Sequence, residues 1–160
     1  MIVTIVEASQ TTIKDTINRS INVLGNTCNL NFIDTEFITG MYSMFYDSKF
    51  NGDISDWDVG NVTDMKSMFD YSKFNGDISN WNVENVTDMG FMFDSSEFNG
   101  DISNWNVENV TDMRYMFDGS KFNGDISNWD VRNVTNMGFM FDGCPLENKK
   151  KFQPKLKRNK

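Results

Sequence analysis

The chain has 160 residues, with 23 acidic and 15 basic side chains, a formal net charge of -8 and no histidine. The length is typical of one domain. Histidine is the commonest general base and metal ligand, so its absence argues against histidine-based triads and Cys/His zinc sites. We therefore predict a protein that is not an enzyme, with no catalytic residues, no metal site and no cofactor.

The first 25 residues have the pattern of an N-terminal cap. The β-branched run Met1–Glu7 predicts a strand, and 9–24 predicts an amphipathic helix that stops at Gly25. Four residues form its predicted apolar face: Ile13, Ile17, Ile21 and Leu24. The N-terminus has no basic region, and its apolar run is short and interrupted by Thr4, so we expect neither a signal peptide nor a transmembrane segment. The expected location is the cytoplasm or a phage or virus particle, with the cell surface reached only by a non-standard route.

Residues 26–145 consist of a repeat with a period of 24 residues. Four full copies (50–73, 74–97, 98–121 and 122–145) have the pattern F-N-G-D-I-S-x-W-x-V-x-N-V-T-[DN]-M-x-x-M-F-D, and a degenerate copy occupies 26–49. All four tryptophans lie in one column, and every methionine except Met1 lies in two columns. A 24-residue unit cannot bury its own apolar face, so the pattern predicts a solenoid whose equivalent residues stack on one another.

Within one unit, Ile54, Trp57 and Val59 have the L-x-x-L-x-L spacing of a leucine-rich repeat. The spacing predicts a short strand at about 56–59. The capping residues at 61–64, followed by apolar residues at i, i+3 and i+4 over 65–69, predict a short helix. The predicted fold class is thus an α/β repeat solenoid, leucine-rich-repeat-like, with short parallel strands, short helices and an N-terminal strand–helix cap.

Alternate residues of the predicted strands point outward and form what we call the polar ladder. Its members are the candidate binding residues: Asp56, Asp58, Asn80, Asn82, Glu84, Asn104, Asn106, Glu108, Asn128, Asp130 and Arg132. In leucine-rich repeats this face usually binds the partner, whereas the simpler interpretation is a solvated face. Because its rows are nearly identical, the ladder favours an extended or repetitive target, such as a glycan or a multimer.

Two further sets of columns have a structural and a functional interpretation. The column Ser67, Phe91, Tyr115, Phe139 could contact a partner, but packing under the return loops is preferred. The aspartate columns at 53/77/101/125 and 70/94/118/142 are interpreted as turn and cap residues rather than calcium ligands.

The last 15 residues, 146–160, are predicted to form a C-terminal cap and a basic tail. Residues 1–148 carry eight bases and 23 acids, a charge of -15, and residues 149–160 add +7 to give -8. Seven cations form the candidate partner-docking segment: Lys149, Lys150, Lys151, Lys155, Lys157, Arg158 and Lys160. Docking onto another protein chain is preferred over a plain solubilising tail, and binding to nucleic acid or a membrane is the least favoured reading because the acidic body repels phosphate.

The repeat resembles that of the BspA-like leucine-rich-repeat surface proteins, also catalogued as a mycoplasma domain of unknown function. The resemblance covers 50–145 closely and 26–49 loosely. It implies a non-enzymatic protein- or glycan-binding module used in surface recognition or adhesion. The alternative hypothesis is a structural, decoration or host-recognition component of a phage or virus particle, docked through the basic tail.

Overall fold

The computed structural model describes residues 10–155, so the predicted strand Met1–Glu7 lies outside the described residues. Helix α1 spans Gln10–Leu24, and a single 3₁₀ turn spans Lys150–Phe152. Between them the described chain is built from turns, with five isolated parallel β-bridges and no β-sheet. Most of residues 26–145 therefore form neither helix nor strand.

Helix α1 covers the first coil of the stack. Ile13 and Ile17 are fully buried and Ile21 is partly buried. Gly25 ends the helix with φ of 91° and donates its N–H to Ile21 O at 2.8 Å. The prediction that Leu24 belongs to the apolar face is wrong, because this side chain is 56% exposed.

The 24-residue units stack as coils around one continuous apolar core. Phe45, Phe69 and Phe93 lie above one another with ring centroids 5.4 and 5.6 Å apart, and the rings are almost parallel. The tryptophan column is buried, and each indole N–H reaches a carbonyl one coil earlier, as Trp105 does with Ile78 O at 3.1 Å. The predicted stacking of repeat columns is confirmed by these contacts.

The predicted helix at 65–69 is wrong, because its backbone N–H groups alternate between two directions. Met65 and Phe69 donate to the next coil, to Asp88 O at 3.0 Å and Met92 O at 2.9 Å. Met68 donates within its own coil, to Met65 O at 3.1 Å. An α-helix needs every N–H to bond four residues back, so hydrogen bonding between coils replaces the helix with consecutive turns.

The predicted strand at 56–59 is also wrong. Trp57 donates its N–H to Ile54 O at 3.2 Å, and Gly60 donates to the Asp58 carboxylate at 2.9 Å, so local turns use these groups. Parallel bridges occur instead in another column, as between Asp64 and Asp88. The burial pattern was predicted correctly, since Trp57 and Val59 are buried, but the leucine-rich-repeat fold class with parallel strands and short helices is contradicted.

Candidate recognition surface

The first column of the polar ladder is exposed and keeps its hydrogen-bonding groups free. Asn80, Asn104 and Asn128 occupy equivalent positions in three successive coils, and each is exposed. Among residues 10–155, none of these three side-chain amides has a hydrogen-bond partner. The column therefore presents three amides, each with donor and acceptor capacity, to a ligand.

The second column of the ladder is held by its own turns. The Asn82 side-chain oxygen accepts the Glu84 N–H at 3.2 Å, and its amide nitrogen donates to the Glu84 carboxylate at 3.0 Å. Asn106 accepts the Glu108 N–H at 3.2 Å in the same way. These bonds hold the second-column side chains in place, so the first-column side chains are the ones available to a ligand.

The ladder changes charge from one end of the stack to the other. It begins with the acidic pair Asp56 and Asp58, and at the other end Arg132 forms an ion pair with Asp130. The tail brings Lys155 beside these residues, where it lines a groove of about 210 Å³. The two ends therefore differ in charge, although the middle rows are almost identical.

The two aspartate columns have opposite electrostatic environments, which the repeat pattern does not indicate. Burial raises the pKa of Asp70 to about 6, and the charge of Asp94 adds to the effect. Burial likewise raises the pKa of Asp94 and Asp118. In the other column the Ser79 backbone N–H donates to Asp77 at 2.9 Å, and this hydrogen bond lowers the Asp77 pKa. No group of three or more acidic or cysteine side chains among the described residues is arranged to hold a metal ion.

The aromatic column forms a partly exposed stack. Phe91 and Tyr115 lie 4.8 Å apart, and Tyr115 and Phe139 lie 5.1 Å apart. All three have positive φ, between 54° and 59°, which is unusual for bulky residues. The rings pack on one another, and Phe139 at the end of the stack is 61% exposed.

The described part of the basic tail packs on the last coil of its own chain. Lys149 donates to the Asn123 side chain at 2.6 Å, and Ile126 donates its N–H to Phe152 O at 3.0 Å. The Lys151 ammonium lies 4.6 Å from the Phe152 ring, and Lys150 bonds to Gln153. These residues form a C-terminal cap. Three of the predicted docking residues lie outside the described residues: Lys157, Arg158 and Lys160.

The cap leaves one side of the last coil open. In each earlier full coil, four backbone N–H groups donate to the next coil, as Tyr115 does to Gly138 O at 2.9 Å. The equivalent groups of the last coil belong to Met137, Phe139, Phe141 and Gly143. Within the described residues these four N–H groups have no acceptor. These four residues are partly or fully exposed, so their N–H groups are accessible to solvent or to another chain.

These observations define a repeat protein made of stacked 24-residue coils with a polar surface. Its sequence matches the family described as "Mycoplasma protein of unknown function, DUF285" over residues 15–119 and again over 93–157. The chain belongs to this family. No curated protein and no solved structure matches it. The described residues contain no helix that is both long and apolar enough to cross a membrane.

Proposed function

We propose that the protein is a non-enzymatic recognition module whose polar ladder binds an extended, repetitive glycan. The observation that carries this proposal is the column of exposed amides on Asn80, Asn104 and Asn128, none of which has a hydrogen-bond partner within residues 10–155. A side-chain amide offers both donors and acceptors, which suits the hydroxyl groups of a sugar.

The repetition of the ladder supports a repetitive target. Bridged coils lie about 4.8 Å apart, a step comparable with the length of one sugar residue in an extended chain. A ligand that presents the same hydroxyl groups at each step can use all three amides at once. The resemblance to BspA-like surface proteins, several of which are implicated in adhesion, supports the same class of function.

A glycan array tests the proposal directly. The full chain is compared with a triple variant, Asn80→Ala, Asn104→Ala and Asn128→Ala, on the glycans it binds. A matched control replaces three exposed residues of another column: Lys73, Glu97 and Lys121. If each amide contributes about 1 kcal/mol, the ladder variant loses about 100-fold in affinity.

The control variant is expected to bind as the unchanged protein does. Equal binding by the ladder variant and the unchanged protein, with unchanged thermal stability, would contradict the proposal. Binding only to protein ligands on a parallel matrix-protein array would assign the ladder to a protein surface instead.

A second candidate is a component of a larger assembly, such as a phage or virus particle. The open edge beside the basic tail favours it, because four N–H groups that have no acceptor within residues 10–155 and the exposed Phe139 ring suit contact with another chain. An assembly through this end predicts concentration-dependent association that is abolished by Phe139→Asp. A chain that stays monomeric at all accessible concentrations, alone and with lysate of its source, would exclude it.

A further inference from the structure

A groove separates helix α1 from the first coil, on a part of the molecule distinct from the polar ladder. Its volume is about 570 Å³, which is within the usual range for ligand sites. Helix α1 contributes Lys14, Asn18 and Asn22, while the coil contributes Tyr46 and Lys49. The repeat pattern gives no sign of this groove, because it forms where the helix meets the most degenerate repeat.

Several polar groups in the groove are available to a ligand. Asn18 and Asn22 lie one helical turn apart, and within the described residues neither side chain has a hydrogen-bond partner. The Lys49 ammonium is also unpaired there. Lys14 donates one bond to Ser43 O at 2.5 Å, which fixes its position and leaves further N–H donors.

Tyr46 provides an aromatic surface in the same groove. Its side chain is 53% exposed, and Tyr71 contacts it edge-on with centroids 6.2 Å apart at 66°. An edge contact orients the Tyr46 ring and leaves ring surface for another flat partner. Aromatic rings in this setting stack on the apolar face of a sugar.

The charge of the groove selects for an anion. Lys14 and Lys49 are its cations and Asp47 is its single acid, so its lining carries a net charge of +1, whereas residues 1–148 together carry -15. The groove is thus a local cationic site on an acidic body, and each of its two ammonium groups can form a charge-assisted hydrogen bond with an anionic substituent.

We propose that this groove binds an acidic oligosaccharide. One sugar ring stacks on Tyr46, its carboxylate or sulfate contacts Lys49 and Lys14, and its hydroxyl groups bond to Asn18 and Asn22. The inference does not depend on the polar ladder, since no residue is shared between the two surfaces.

Titration of the full chain with three probes tests the inference. Trigalacturonic acid carries carboxylates, a chondroitin sulfate tetrasaccharide carries both carboxylates and sulfates, and galactotriose is the neutral control. We expect at least one acidic probe to bind about tenfold more tightly than galactotriose, as measured by calorimetry. Comparison of the two acidic probes identifies which anionic group is preferred.

Variants locate the binding. Lys49→Gln is expected to reduce affinity for the bound acidic probe about tenfold, and Tyr46→Ala by a similar factor. Lys73→Gln is the matched control, because Lys73 occupies the equivalent position one coil later and does not line the groove. Equal losses in Lys49→Gln and Lys73→Gln, or no binding of either acidic probe, would overturn the inference. The triple asparagine variant of the ladder should leave this affinity unchanged, which separates failure here from failure of the proposed function.

Discussion

Replacing Asp70 with asparagine is expected to stabilise the protein at neutral pH. The Asp70 residue is only 7% exposed, and one carboxylate oxygen is buried without a hydrogen-bond partner. Burial, together with the nearby charge of Asp94, raises the pKa of this carboxyl from 3.8 to about 6. Because burial disfavours the charged form, the ionised Asp70 side chain lowers the stability of the folded protein.

The pKa shift sets both the sign and the size of the effect. Below pH 3.8 Asp70 is protonated in the folded and unfolded states, so its ionisation costs no stability. As the pH rises through about 6, stability is lost relative to an unshifted carboxyl. A shift of about two units corresponds to about 3 kcal/mol at most. Asp70→Asn is neutral at every pH and should avoid this loss.

Urea unfolding followed by tryptophan fluorescence measures the effect, because all four tryptophans are buried. At pH 8 the Asp70→Asn midpoint should exceed that of the unchanged protein by about 1 M, and at pH 4 the two should nearly coincide. Asp77→Asn is the matched comparison and should change stability in the opposite direction, since a backbone hydrogen bond lowers the Asp77 pKa. It should destabilise the protein at pH 7 and have less effect at pH 3. A change in stability for Asp70→Asn that is independent of pH, or a loss at pH 8, would show that the ionised Asp70 carboxylate does not destabilise the folded protein.

Other substitutions test the coil geometry, and calorimetric or urea unfolding checks each of them. Gly52→Ala should destabilise by about 3 kcal/mol or more, because the added Cβ would lie 1.9 Å from Cys28 O. Gly60→Ala is the control and should have a small effect, because the atom nearest to its added Cβ is a side-chain oxygen of Asp58 at 3.1 Å. Equal losses of stability in the two variants would contradict the turn geometry. Trp105→Phe should cost about 1–3 kcal/mol, because the buried indole bond to Ile78 O is lost and the smaller ring leaves empty volume in the core. The Trp81 N–H still donates to Ile78 O, and a neutral result would argue against a contribution from the indole bond. Thr87→Val should cost less than about 1 kcal/mol, because the hydroxyl bond to Thr63 O at 3.1 Å is lost but the backbone N–H bond to the same oxygen remains. A loss of several kcal/mol would show that the hydroxyl bond contributes more to stability than this geometry implies.

The sequence predicted the repeat, its stacked columns and the burial of residues such as Trp57, because a fixed period of 24 residues states which side chains are equivalent. It did not predict the backbone conformation. The spacing of Met65, Met68 and Phe69 is typical of a helix, but residues at these positions can also be buried by turns whose N–H groups bond to the next coil. Whether an N–H bonds within its coil or between coils depends on tertiary packing, which overrides local propensity.

The exposure of the ladder positions was predicted for the same reason. Outward-facing positions such as Asn80 and Asn104 follow from the alternation with buried Trp81 and Trp105. The free state of their amides, in contrast to the turn-bound Asn82, depends on local hydrogen bonding that the repeat does not encode. The groove beside Lys49 depends on how helix α1 docks, and residue columns give no information about that contact.

The most direct test of the proposed function is an NMR titration of the full chain with the glycan that binds best on the array. The side-chain amide signals of Asn80, Asn104 and Asn128 report the ladder itself. We predict that these three signals shift together, with one common affinity, while the signals of the control column at Lys73, Glu97 and Lys121 do not. Binding that leaves all three amide signals unchanged would contradict the assignment of the ladder as the recognition surface.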